Sequence, residues 1–168
     1  MCSNPEKEKG YLDLYALAAV AGISLLFHLL YFRHGVQNLV DLGVACVDSE
    51  RILSGQVPGR DFFEPYGPGR FYLIALCFKL FGKSLLTFSA LCLVLLSVKD
   101  VLVYLCARHV LCRPWALFTA ALTIMVHGPI HKVFLTLGGL LILYPAFRLI
   151  RKPGSRSAVT FGLCVFVA

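Results

Sequence analysis

Apolar residues run almost unbroken through residues 11–32, YLDLYALAAVAGISLLFHLLYF. At roughly 20 residues per crossing, this is a membrane span, with tyrosines and Phe32 near its ends as interfacial anchors. The pattern then breaks for a long polar stretch. Asp41 to Leu53 reads as a short helix, with Leu42, Ala45, Ser49 and Ile52/Leu53 on one face and Asp41, Asp48 and Arg51 on the other. Asp is a favoured helix cap, so one reading of Asp41 is simply the start of that helix. Gly55 ends it, Pro58-Gly59 turns the chain, and Tyr66-Gly67-Pro68-Gly69 is a second turn.

Residues 71–81, FYLIALCFKLF, are apolar but too short to cross and are interrupted by Lys79, which predicts a juxtamembrane helix. Spans are expected at about 85–107, 115–127 and 131–150, with a partial span at 158–168. Lys99 and Asp100 fall inside the second span. Adjacent residues point about 100° apart and need not pair with each other. Three readings stay open: the charges face a polar cavity or partner, the span is shifted along the chain, or they neutralise locally. The expected fold is all-α, a polytopic helical membrane protein forming a single transmembrane domain over 1–168, incomplete at its last span, with a large first external loop over 33–82.

Composition agrees, with 58% hydrophobic residues and a mean hydropathy of +0.78. The formal charge of +7 would suggest nucleic acid in a soluble protein. Here the basic residues cluster between apolar blocks, at Lys7/Lys9, Arg108/Arg113 and Arg151/Lys152/Arg156, which is the positive-inside pattern and excludes nucleic acid as a partner. Every cluster reaches the cytosol, together with the N-terminus, only if 71–81 stays on the outer face. That arrangement puts His127 to His131 outside, on the side of the Asp41 loop. The first span is too long for a usual signal-peptide core and no small-x-small site follows it, so it is read as an uncleaved anchor. Asp13 and His28 are expected at its two interfaces. Cys77, Cys92, Cys106 and Cys164 sit inside apolar runs and read as small hydrophobes, and no CxxC spacing is present.

The loop holds five of the nine acidic residues, Asp41, Asp48, Glu50, Asp61 and Glu64. Loops carry function while scaffolds position them. Its short pieces are Asp41-Leu42-Gly43, Arg51-Ile52-Leu53-Ser54-Gly55, Val57-Pro58-Gly59-Arg60-Asp61-Phe62-Phe63, Tyr66-Gly67-Pro68-Gly69 and Phe78-Lys79-Leu80-Phe81-Gly82. In that order and spacing they resemble the first external loop of the GT-C-type glycosyltransferases. These include protein O-mannosyltransferases and bacterial aminoarabinose transferases, and they use polyprenyl-phosphate-linked sugars. Many members carry an acidic residue where this chain has Leu42, and members run to several hundred residues, so the likeness covers their N-terminal part.

The resemblance implies an inverting glycosyltransferase of the bacterial inner membrane. Its partners would be the bilayer, a polyprenyl-phosphate-linked sugar and an acceptor that the residues do not name. By position Asp41 would be the catalytic base that takes the proton from the attacking hydroxyl. Asp61 recurs in the family's pattern and would shape the site, with Arg60 and Tyr66 beside it; Arg60–Asp61 also reads as a local ion pair. Arg70 and Lys79 are candidates for a lipid phosphate, although Lys79 also suits an interfacial snorkel. His131 joins the substrate-binding set. Asp48 is expected to pair with Arg51 at i,i+3. No cofactor is fixed; a divalent metal could neutralise the departing phosphate, but Gly128-Pro129 between His127 and His131 disfavours a regular two-histidine helical site. Two rivals remain: a non-enzymatic helical protein that packs beside a partner, and a transporter, against which there is no internal repeat.

Overall fold

Among the described residues the chain is a succession of seven helices: α1 (Pro5–Arg33), α2 (Leu39–Leu53), α3 (Gly69–Phe81), α4 (Leu85–Val110), α5 (Arg113–Met125), α6 (Val133–Arg151) and α7 (Ser155–Val167). The structure is a computed structural model and describes residues 5–33, 39–63, 67–126, 132–151 and 153–167. Among the described residues three helices are long and apolar enough to cross a membrane: α1 over Tyr11–Phe32, α4 over Leu85–Val110 and α6 over Val133–Arg151. The protein is therefore an all-helical, polytopic membrane protein. The 13 residues of α5 give about 20 Å of helix, short of the roughly 30 Å hydrocarbon core.

The chain divides into two compact units, Met1–Leu29 with Leu95–Ala168, and Leu30–Val94. In the first, α1, α4 and α5 meet at a core of Val20, Tyr104, Ala116 and Ala120, with Ala16, Leu17, Val101 and Leu117 around it. Three of these contacts are alanines. Lipid provides no hydrophobic force between helices, so small side chains that let backbones approach are what holds such a junction. Pro114 sits in the first turn of α5, where its missing N–H costs nothing.

One end of this unit gathers its charges. The Asp13 carboxylate accepts from Arg113 Nε at 3.0 Å and from Arg108 at 3.3 Å. The Arg151 guanidinium donates to the His109 carbonyl, and the His109 ring stacks on Phe147 with centroids 5.8 Å apart. The start of α1, the α4–α5 connection and the end of α6 thus lie together.

In the second unit α2 packs on α3. Phe71, Ile74, Ala75 and Phe78 of α3 are buried, an i, i+3, i+4, i+7 stripe. Its other face, Tyr72, Leu73, Leu76, Leu80 and Phe81, is exposed and apolar. A 13-residue helix with one protein-facing stripe and one bare apolar face suits a membrane surface. Ser84 starts α4: its Oγ accepts the Thr87 backbone N–H at 3.0 Å, the bond of an N-cap.

Candidate functional site

The loop is shaped first by the end of α2. Gly55 N–H donates to the Ile52 carbonyl and Gln56 N–H to the Arg51 carbonyl, both at 3.0 Å. This is the paired closure of a Schellman motif. It requires Gly55 at φ +91°, a region an L side chain enters only at a cost of about 1–2 kcal/mol. Gly55→Ala is expected to loosen the last turn of α2 by that amount, read as faster amide exchange at Gln56 with no change in the middle of the helix.

The Pro58-Gly59 turn comes next, and its latch is Asp61. The Asp61 carboxylate accepts the Val57 N–H at 2.7 Å and two bonds from Arg60, at 3.0 and 2.8 Å. The Arg60 bond, then the Val57 bond, hold its pKa below the ordinary 3.8. A depressed folded-state pKa means that the turn's contribution is full above 3.8 and is lost as pH falls through the lower folded value. A carboxyl NMR titration of Asp61 is expected to show its midpoint below 3.8, with the Val57 amide shift moving in step. Arg60→Gln is expected to bring the midpoint back toward 3.8.

This turn is tied to α2 through Arg51, whose guanidinium lies 5.5 Å from the Phe62 ring centroid. Arg51 also pairs with Asp48 at 3.3 Å, as the i,i+3 spacing predicts. Asp48 itself departs from expectation. It is 7% exposed, buried with Leu42, Ala45 and Ser49 rather than on an opposite polar face. At 100° per residue Asp48 is only about 40° from Ile52 and 60° from Ala45, so it shares their arc.

The predicted residues are spread out. Helix α2 begins at Leu39, so Asp41 lies within its first turn and is not its cap; the Asp41 side chain is outside the described part. Tyr66 and His131 lie outside the described residues. Arg70 stands at the start of α3 with its guanidinium 4.3 Å from the Phe71 ring centroid. Lys79 is exposed in the last turn of α3. Nine residues along a helix is about 14 Å and half a turn of rotation, so a single phosphate meets at most one of these two cations. Arg60 and Asp61 are joined to each other. Close to Asp41 in sequence, Leu42, Gly43, Cys46 and Glu50 of α2 form a groove of about 290 Å³ with Phe78, Lys83, Ser84 and Leu85. Burial, then the Glu50 charge, raises the Cys46 thiol above its ordinary pKa, so this cysteine is a poor nucleophile. Among the described residues no three His, Cys, Asp or Glu side chains come together as a metal site.

A second polar centre lies inside the spans of the first unit. Asp100 is fully buried, and its Oδ2 accepts the Ser24 hydroxyl at 2.7 Å and lies 2.9 Å from His28 Nε2. Lys99 Nζ stands 3.1 Å from the other oxygen, close enough to pair but off the line of a good hydrogen bond. His28, expected at an interface, is fully buried and meets Asp100. Of the readings left open for Lys99 and Asp100, local neutralisation is seen: Lys99 pairs with its neighbour, because a flexible four-carbon stem spans the 100° that separates the two positions. Local neutralisation and a cross-helix partner coexist. The available signal was the polar pair Ser24/His28, four residues apart on one face of an otherwise apolar span, and an intramembrane aspartate in need of partners.

No protein-family model, no curated protein and no solved structure matches this chain.

Proposed function

We propose that the protein acts in glycosyl transfer, moving a sugar from a polyprenyl phosphate to an acceptor on the non-cytosolic face of the membrane. The observation that carries this reading is the loop: five short sequence pieces in one order and spacing, resembling the external loop of polyprenyl-phosphate-sugar transferases. Those pieces lie on α2, its glycine closure, the Asp61-latched turn and α3, all within one compact unit.

Direct transfer needs two things from the protein. A base must take the acceptor's hydroxyl proton as the new glycosidic bond forms, and positive charge must stabilise the phosphate as its bond to the sugar breaks. Asp41 is the base in this reading. Single displacement from the face opposite the phosphate inverts the anomeric centre. Lys79, exposed in the last turn of α3, meets the lipid phosphate in this reading. Asp61 and Arg60 fix the turn between α2 and α3, which makes them positioning residues. The cytosolic N-terminus and the bacterial inner membrane belong to the same proposal, resting on the basic clusters and on the family likeness. Transfer of labelled sugar from a polyprenyl-phosphate donor by membranes containing the native gene product tests the proposal. Incorporation that depends on this protein supports it; incorporation equal to that of membranes lacking the protein overturns it.

A further inference from the structure

Midway along α4, Lys99 also lines a cavity of about 240 Å³ within the first unit, shared with Leu96 and Val103 of α4, Thr123 and Val126 at the end of α5, and Lys132, Val133 and Thr136 at the start of α6. Among the described residues its polar lining is two lysines and two threonines, with no acidic side chain. The charge on Lys99 is met from behind by Asp100 at 3.1 Å. Lys132 has no such partner: among the described residues no carboxylate pairs with it. Lys132 is exposed just before α6, at the end of a candidate span, and it leaves the described lining with a positive charge that an anion balances. The first turn of α6, a 19-residue helix, adds the positive end of its dipole at the same place. The Thr123 and Thr136 hydroxyls donate to carbonyls of their own chain, at 2.8 and 3.2 Å, and each can rotate to donate into the cavity instead.

We propose that this cavity binds a phosphate-bearing anion, held by Lys132 and Lys99 with Thr123 and Thr136 as further donors. The inference is independent of the sugar-transfer reading. The cavity lies between α4 and α6, both long enough to span, and the end of the shorter α5, so a lipid headgroup and a free phosphate are the two sources of the same chemistry.

The test uses the purified full chain in maltoside micelles with a photoreactive phosphatidic acid, against the matched diacylglycerol. Phosphatidic acid is expected to crosslink to peptides from the ends of α5 and α6, and diacylglycerol is not. Lys132→Gln is expected to lower the yield about tenfold, the size of one lost charge-assisted bond to phosphate, whereas Arg156→Gln, at the start of α7, leaves it unchanged. Lys99→Gln exposes the Asp100 charge and can prevent folding, so Lys132→Gln and Thr136→Val carry the test. Retained crosslinking in the presence of millimolar inorganic phosphate assigns the site to a lipid headgroup; its loss assigns the site to a free anion. Equal crosslinking of the wild type and Lys132→Gln, or of the two probes, overturns the proposal.

Discussion

Asp100→Asn is expected to be the most destabilising conservative substitution in the spans of this protein. The change keeps the size of the side chain and removes its charge. It leaves the Lys99 ammonium facing a neutral amide at 3.1 Å and turns the two charge-assisted bonds that the carboxylate accepts, from Ser24 and from His28, into ordinary ones. Breaking a buried pair by removing one partner costs about 3–5 kcal/mol, because the remaining charge stays buried without compensation. Ser24→Ala, which removes a single bond to a charged group, is expected to cost about 1.5–3 kcal/mol. The order of these two effects distinguishes a charge-centred network from simple packing. Thermal unfolding in maltoside, followed at Trp115, measures both. The double variant Lys99→Gln/Asp100→Asn is expected to recover much of the loss, since removing both charges removes the orphan. An Asp100→Asn protein as stable as the wild type would show that the carboxylate contributes nothing.

Asp41→Asn is expected to lower glycosyl transfer by about 10²- to 10⁴-fold, the contribution of a positioned general base. Stability is the control. Asp41 sits in the first turn of α2, where a carboxylate favours the helix dipole by only about 0.3–1 kcal/mol, and asparagine is itself a good residue at helix starts. A structural Asp41 therefore predicts a small stability change and full activity. A catalytic Asp41 predicts the same small stability change and a loss of activity of several orders of magnitude. Asp41→Glu keeps a carboxylate but moves it by about one bond, and is expected to retain part of the rate. Transfer by Asp41→Asn at the wild-type rate would remove this residue from the mechanism.

Much of the fold was legible because its signals are local. The buried stripe of α3 is an i, i+3, i+4, i+7 pattern inside one short segment, and Gly55 marks the end of α2 through its own backbone conformation. The intramembrane network was not legible in this way. Ser24 and His28 lie 76 and 72 positions from Asp100, and periodicity says nothing of which helix a polar residue meets. What the sequence did carry was the requirement for a partner, since an aspartate within a span is too costly to leave alone. Asp48 shows a different failure. Sorting residues into two faces hid the fact that 100° steps form a continuous arc, and a carboxylate at the edge of the apolar arc is covered by its neighbours. In the candidate site, the Asp61 latch was half visible: adjacency suggested the Arg60 pair, but the Val57 N–H bond follows from how the Pro-Gly turn brings the chain back four residues.

The proposed turnover of a polyprenyl-phosphate sugar is measured most directly as donor cleavage by the native gene product purified into proteoliposomes. Donor labelled in the sugar is supplied with an extract of the source membrane as acceptor, and the released polyprenyl phosphate and the labelled product are both quantified. Equal amounts of the two are expected, absent from protein-free liposomes, with inversion at the anomeric carbon and loss of both in Asp41→Asn. Donor that stays intact with the wild-type protein, while the protein is folded and in the bilayer, would contradict the proposal.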